Sequence, residues 1–234
     1  CLLNAAVAEA LGELTVALRA ELKKTKKVDD AVLKVVRPAF RATRNVRFEG
    51  NNYADAWVQE AERRGLPNFR RTPESLAQLT TPKSRKLLAD LGILTKQELD
   101  SRFHVRLERY VKDILIEACT MREMADTMVL PAGYVYAGTL AKSAVDVKAA
   151  GITNTAQVDA ANEVAKLVSA LRKSRIALGK AIDKAESMDE TLEQQARFVT
   201  GTCADTMQTV RDASDALELG IGDHGIPRRV KKLG

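Results

Sequence analysis

The sequence predicts a mostly α-helical protein organised around a bundle of long antiparallel helices, and three observations carry that expectation. The stretch from Thr95 to Leu130 places Leu99, Phe103, Leu107, Val111, Ile114, Ala118, Met121, Ala125 and Met128 three or four residues apart, the spacing of one continuous helix face. At 1.5 Å per residue that helix is about 50 Å long, too long to fold against itself. Two further amphipathic segments, roughly 154–186 and 188–219, are available to cover it. Aromatic residues make up only 4% of a chain that is 45% hydrophobic, which suits long helices and suits a β-sandwich poorly.

Composition narrows the function classes. A chain of 234 residues supports one large or two modest domains. No run of eighteen apolar residues occurs, so a membrane span is not expected. Cys1, Cys119 and Cys203 are odd in number and far apart, which reads as reduced thiols in a cytoplasmic protein. With only His104 and His224 and no CxxC pair, zinc-ligand spacing is absent. The net charge of +6 comes with two basic runs, Lys23, Lys24, Lys26 and Lys27, then Arg228, Arg229, Lys231 and Lys232. Aromatic residues do not alternate with them as a single-strand-binding groove requires, so they read as a solvated turn and a solvated tail.

From the start, LLNAAVAEALGELTVALRAEL carries Leu3, Val7, Leu11, Leu14, Leu18 and Leu22 on one helical stripe. No capping residue or turn precedes it, the first residue is Cys1, and no signal peptide is present, so a missing upstream part is expected. A second helix follows the lysine-rich turn, with Asp29 or Asp30 as N-cap and Val32, Val35, Val36 and Phe40 buried; Pro38 should kink or divide it. Residues 46–94 are the least regular. Gly50, Asn51 and Asn52 form a turn, a short helix runs from about Tyr53 to Arg64, and Gly65 closes it with Pro67 beyond. Thr72 should cap the next short helix with Pro73 at its first position, and Trp57 and Phe69 should pin this segment to its neighbours.

The long helix begins with a capping box, Thr95 to Glu98. Pro131, with Gly133 and Gly138, should kink or interrupt it before the chain continues helically to Gly151. Met121, Met124 and Met128 form a band that reads as core. The second bundle helix presents Val158, Ala161, Ala165, Val168, Leu171, Leu178, Ile182 and Ala185, with Ser174 filling the missing step. The third presents Leu192, Ala196, Val199, Cys203, Met207, Val210 and Leu217, opened by a Ser187–Glu190 capping box and ended at Gly220 and Gly222. The chain therefore divides into helices at 1–45, an irregular segment at 46–94, the long-helix bundle at 95–221 and a basic tail at 222–234.

One resemblance runs through the middle of the chain. FEGNNYADAWVQEAERRGLPNFRRTPESL, followed through KLLADLGILTKQELDSRFHVRLERYVKDILIEACTMREMADTMVLPA, resembles the C-terminal portion of type III glutamine synthetase. The carrying features are the Gly-Asn turn with Tyr53, Trp57, Glu60-Ala-Glu, Arg64-Gly-Leu-Pro-Asn, Leu99 with Arg102, Tyr110-Val-Lys and Leu130-Pro-Ala. LLNAAVAEAL also looks like the helix that follows the last catalytic strands in that family. The tail departs from it, with Gly225 and Arg229 where the family usually has Trp and Tyr around its proline.

The resemblance implies ATP-dependent amidation of glutamate by ammonia. It implies an active site on a curved β-sheet, with Mg or Mn held by Glu and His, between subunits of stacked hexameric rings. Those strands would lie upstream of Cys1, so no catalytic, cofactor-binding or metal-binding residue is carried onto this chain. Its helices and irregular segment would pack on that absent sheet domain. The residues agree: no Gly-rich phosphate loop and no nucleophile–base set is present. His104 beside Arg102 and Arg106 suggests a phosphate clamp, but positions two apart on a helix face differently. Asn51, Asn52 and Asp55 offer one carboxylate, fitting a turn into a helix better than a cation site. The residues also admit a freestanding helical-bundle adaptor or a nucleic-acid-binding protein without catalysis.

Overall fold

The computed structural model describes residues 2–25, 27–152 and 156–222. Its helices are α1 (Leu2–Lys24), α2 (Val28–Ala42), α3 (Asp55–Arg63), α4 (Thr72–Ala77), α5 (Pro82–Asp90), α6 (Lys96–Met124), α7 (Leu130–Ala149), α8 (Ala156–Glu186), α9 (Leu192–Phe198) and α10 (Ala204–Ile221). Among the described residues there is no β-strand, as the mostly α prediction requires. Two compact units divide between Arg106 and Leu107, inside α6.

In the first unit α1 packs on α2 and α5. A small core joins Ala5 to Leu87, Leu88 and Leu99, with Leu2, Leu79 and Leu94 against it. The α2 expectation needs correction. Lys27 precedes the helix without a side-chain cap, while Asp29 and Asp30 fall in the first turn, where a carboxylate complements the helix dipole. Pro38 lies within α2 without dividing it; the helix gives up one backbone bond near its end, at Ala42. Ala31 is fully buried, whereas Val32, Val36 and Phe40 are exposed and Val35 is half-buried. The small side chain makes the close contact, and the larger ones face away from it.

Further along, Gly65 takes a φ of +73°, the left-handed cap expected after α3. Arg71 rather than Thr72 occupies the cap position of α4, so Thr72 is its first residue and Pro73 lies in its first turn. Phe69 is exposed, and Trp57 is half-buried against Phe48 instead, with ring centroids 4.3 Å apart.

The second unit is built from three rods. The first continues from α6 through a wide turn at Ala125–Val129 into α7; the second is α8; the third runs from α9 through another wide turn at Val199–Cys203 into α10. In each wide turn an amide reaches back five residues, Leu130 to the Ala125 carbonyl and Ala204 to that of Val199. Contacts fix the directions. Arg175 of α8 meets Asp126, and Cys203 Sγ lies 3.6 Å from the Ala181 carbonyl while Leu167 faces Gly220, so α8 is antiparallel to both other rods. Tyr110 meets Thr200 and Gly133 meets Leu217, so the first and third rods are parallel.

Leu171, Leu178 and Leu217 are fully buried between the rods, and each contributes about 1.5–3 kcal/mol of transfer free energy. Ser174 is buried and bonds the Leu171 carbonyl at 2.9 Å, filling the step as predicted. The stripe of α8 begins later than expected: Val164 is buried, while Val158 and Ala165 are exposed. The expected break at Pro131 is also corrected. The helix passes Pro131, Gly133 and Gly138 unbroken, and the wide turn lies just before the proline, which cannot donate to the carbonyl behind it. Thr191 and Gln194, not Ser187 and Glu190, make the capping box of α9, with the Thr191 amide donating to Gln194 Oε1 at 3.0 Å.

Candidate interaction faces

The most extensive uncovered apolar surface belongs to α1 and α2. Leu3, Val7, Leu11 and Leu14 recur at helical spacing and all are exposed, Leu3 at 76% and Leu11 at 59%. Val36 and Phe40 of α2 are exposed too, although the Arg47 guanidinium lies 3.3 Å from the centre of the Phe40 ring. Where the two helices meet, Leu14, Ala17, Val35 and Pro38 line a groove of about 490 Å³, with the Lys34–Glu21 ion pair of 3.7 Å at its edge. Contiguous exposed leucine and valine mark a surface that contacts something else.

The irregular segment is held by one guanidinium. Arg64 donates from Nε to Glu60 Oε1 at 2.5 Å and from Nη1 to the Arg47 carbonyl at 2.8 Å, and lies 5.5 Å from the Trp57 ring centre. The hydrogen bond from Arg64 holds the Glu60 carboxyl below its ordinary range. Asn51 acts as a turn residue: its Oδ1 accepts from the Tyr53 amide at 3.0 Å and its carbonyl from the Ala54 amide at 3.2 Å.

At the start of α6 the predicted capping box is formed. The Thr95 amide donates to Glu98 Oε2 at 2.8 Å, and the Glu98 amide donates to Thr95 Oγ1 at 3.2 Å. The Thr95 amide is the main cause that lowers the Glu98 pKa. Arg85 pairs with Asp100 at 2.6 Å and lowers that carboxyl as well. Arg102 and Arg106 border a cavity of about 350 Å³ otherwise lined by Leu2, Leu79, Leu88, Ile93, Leu94 and Leu99; His104 does not line it. The three residues are therefore not brought together as a clamp.

In the second unit the methionine band divides. Met121 and Met128 pack against the core, while Met121 and Met124 also line a groove of about 710 Å³ with Met207 and Val210 of α10. The guanidinium of Arg175 forks onto Asp126 in the wide turn, from Nε at 2.6 Å and from Nη2, and Asp126 raises the Arg175 pKa in return. Cys203 is buried and free, and burial pushes its thiol up to about 11; Cys119 is free and half-buried. Cys1, Lys26, His224 and the tail from 223 lie outside the described residues.

The sequence gave no hint of the Phe48–Trp57–Arg64 stack, the Asp126–Arg175 fork or the α6–α10 groove. Each joins positions with no shared periodicity.

Together these features define a helical region that presents apolar faces. Among the described residues, no three His, Cys, Asp or Glu side chains gather where they could hold a metal ion. The chain belongs to the glutamine synthetase C-terminal domain family, whose sequence pattern matches residues 31–148. It is 33% identical over 196 residues to a glutamine synthetase of Butyrivibrio fibrisolvens, covering 81% of this chain and 27% of the relative. It is 28% identical over 227 residues to a glutamine synthetase of Bacteroides fragilis, covering 94% of this chain and 31% of the relative. Over 141 residues it is 33% identical to a type-3 glutamine synthetase of Dictyostelium discoideum, covering 60% of this chain and 19% of the relative. The chain thus spans a third or less of the length of these relatives, and the resemblance to the type III C-terminal portion is upheld.

Proposed function

We propose that this chain is the C-terminal part of a cytoplasmic glutamate–ammonia ligase, which converts ATP, glutamate and ammonia to glutamine. Within that enzyme it braces the catalytic domain and contributes subunit contacts. The carrying observation is the uncovered leucine and valine face of α1 and α2 in a chain that matches this family. An apolar surface of that extent is stabilised only when another surface covers it. The upstream catalytic domain covers the α1–α2 face, and identical subunits, in stacked hexameric rings, meet the bundle.

ATP and Mg or Mn belong to the whole enzyme. The residues described here do not fit them: they offer neither a gathered set of metal ligands nor a Gly-rich phosphate loop. No helix among the described residues is long and apolar enough to cross a membrane.

The test uses the polypeptide that carries this chain together with its upstream region. Stopping it after Gly151 should change the size of the assembly, by light scattering, before it changes the chemistry of glutamine formation. Val7→Asp with Leu11→Asp removes no buried side chain and should also loosen the assembly. An unchanged oligomer in both overturns the scaffold role. The chain alone should form no glutamine from ATP, glutamate and ammonia; turnover by it overturns the assignment of chemistry to the upstream region.

A further inference from the structure

The groove between α6 and α10 has no part in that reading. Its floor is Met121, Met124, Met207 and Val210, and its rim carries Glu117, Asp215 and Glu218 beside Arg211, whose Nε donates to Asp215 Oδ2 at 2.9 Å. An apolar floor with an acidic rim fits a segment that is itself apolar and basic. The residues that follow α10 read DHGIPRRVKKLG, 223–234. Against one acid, Asp223, they carry Arg228, Arg229, Lys231 and Lys232, with Ile226, Val230 and Leu233 interspersed.

The geometry points to this segment as the occupant of the groove, with its basic side chains on Glu117, Asp215 and Glu218 and its apolar ones on the methionine floor. The reach is sufficient. Because the first and third rods run parallel, Glu218 and Val129 share one end of the groove, one turn from Gly222. Gly222, at φ +63° and ψ −153°, holds a conformation open to glycine and ends α10 there. The groove runs from Val129 to Ile116, about 20 Å at the helical rise, and twelve residues extend to about 40 Å. Methionine floors adapt to branched side chains of varied shape. A tether this short supplies an effective concentration on the order of 1 mM, so even a weak match is populated.

Methionine oxidation in the full chain reads the docking directly. Dilute peroxide followed by peptide mass spectrometry compares Met124 and Met207, in the groove, with Met188, which does not line it. If the segment occupies the groove two thirds of the time, oxidation of Met124 and Met207 slows by about threefold. That protection should disappear in a chain ended at Gly222. It should also disappear in the full chain carrying Arg228→Glu, Arg229→Glu, Lys231→Glu and Lys232→Glu, which alters no core residue, while Met188 is unaffected in both. Adding Glu117→Lys and Glu218→Lys to the fourfold variant should restore it. Equal groove oxidation in all these chains overturns the proposal. Protection that grows with protein concentration and survives loss of the tail also overturns it, because a second copy is then the occupant.

Discussion

Gly133→Ala isolates how closely the rods approach. A β-carbon at Gly133 would lie 2.8 Å from Val168 Cγ2 and 3.0 Å from Leu217 Cδ2. Both neighbours are buried, Leu217 completely, so neither can swing aside. Overpacking of this kind costs about 1–3 kcal/mol, while replacing a helical glycine with alanine returns about 0.8–1 kcal/mol. The net expectation is a loss of about 1 kcal/mol. Gly138, one turn further along α7, meets nothing within 4 Å, so Gly138→Ala should show the propensity gain alone. The two variants report on the same unit and should differ by about 2 kcal/mol in urea unfolding at constant m. Val168→Ala in the Gly133→Ala background should recover part of the loss as a coupling of about 1 kcal/mol. If Gly133→Ala stabilises as much as Gly138→Ala, the close approach is not as described.

Other expectations test single contacts. Glu98 is held below 4.5 by the Thr95 amide, so its contribution to the start of α6 is present above about pH 4.5 and is lost as the pH falls through the lower folded value. Glu98→Gln keeps the bond without the charge, and amide exchange at residues 96–99 between pH 3 and 6 should lose its pH dependence; identical profiles would sink the argument. With its thiol near 11 and no exposure, Cys203 should resist iodoacetamide at pH 8 about tenfold or more longer than Cys119, and equal rates would contradict the burial. Arg64→Ala frees the Arg47 carbonyl and uncovers Trp57, the sole tryptophan. Its fluorescence should shift to longer wavelength; an unmoved spectrum would mean that the Phe48 stack stands without the guanidinium.

Where the signal is local and repeats, the sequence carried the structure. The α6 stripe, the Thr95–Glu98 box and the Gly65 cap each depend on residues a few positions apart. Burial on α2 could not be read that way. The pattern that marked Val36 and Phe40 as apolar says nothing of whether a partner covers them, and here Ala31 makes the contact instead. Pro131 was legible as a disturbance but not as its remedy, since the chain absorbs it by widening the turn before it. That remedy does leave a trace. The apolar steps Ala125–Val129–Gly133 and Val199–Cys203–Met207 are consecutive fours, where alternating threes and fours would keep a straight helix in phase. The α6–α10 groove unites residues from distant parts of the chain, which periodicity on either helix cannot reveal.

Those wide turns set the phase of everything beyond them. Each holds one residue more than an α-helical ladder needs, so removing Thr127 or Thr202, both exposed, would close the turn and rotate the downstream half-rod by about 100° about its own axis. The halves before and after each turn therefore keep independent angular settings on a shared axis. A chimera spliced at either turn can inherit one half from a relative without re-indexing the other, whereas a splice within α8, which has no such joint, must match its donor along the whole length.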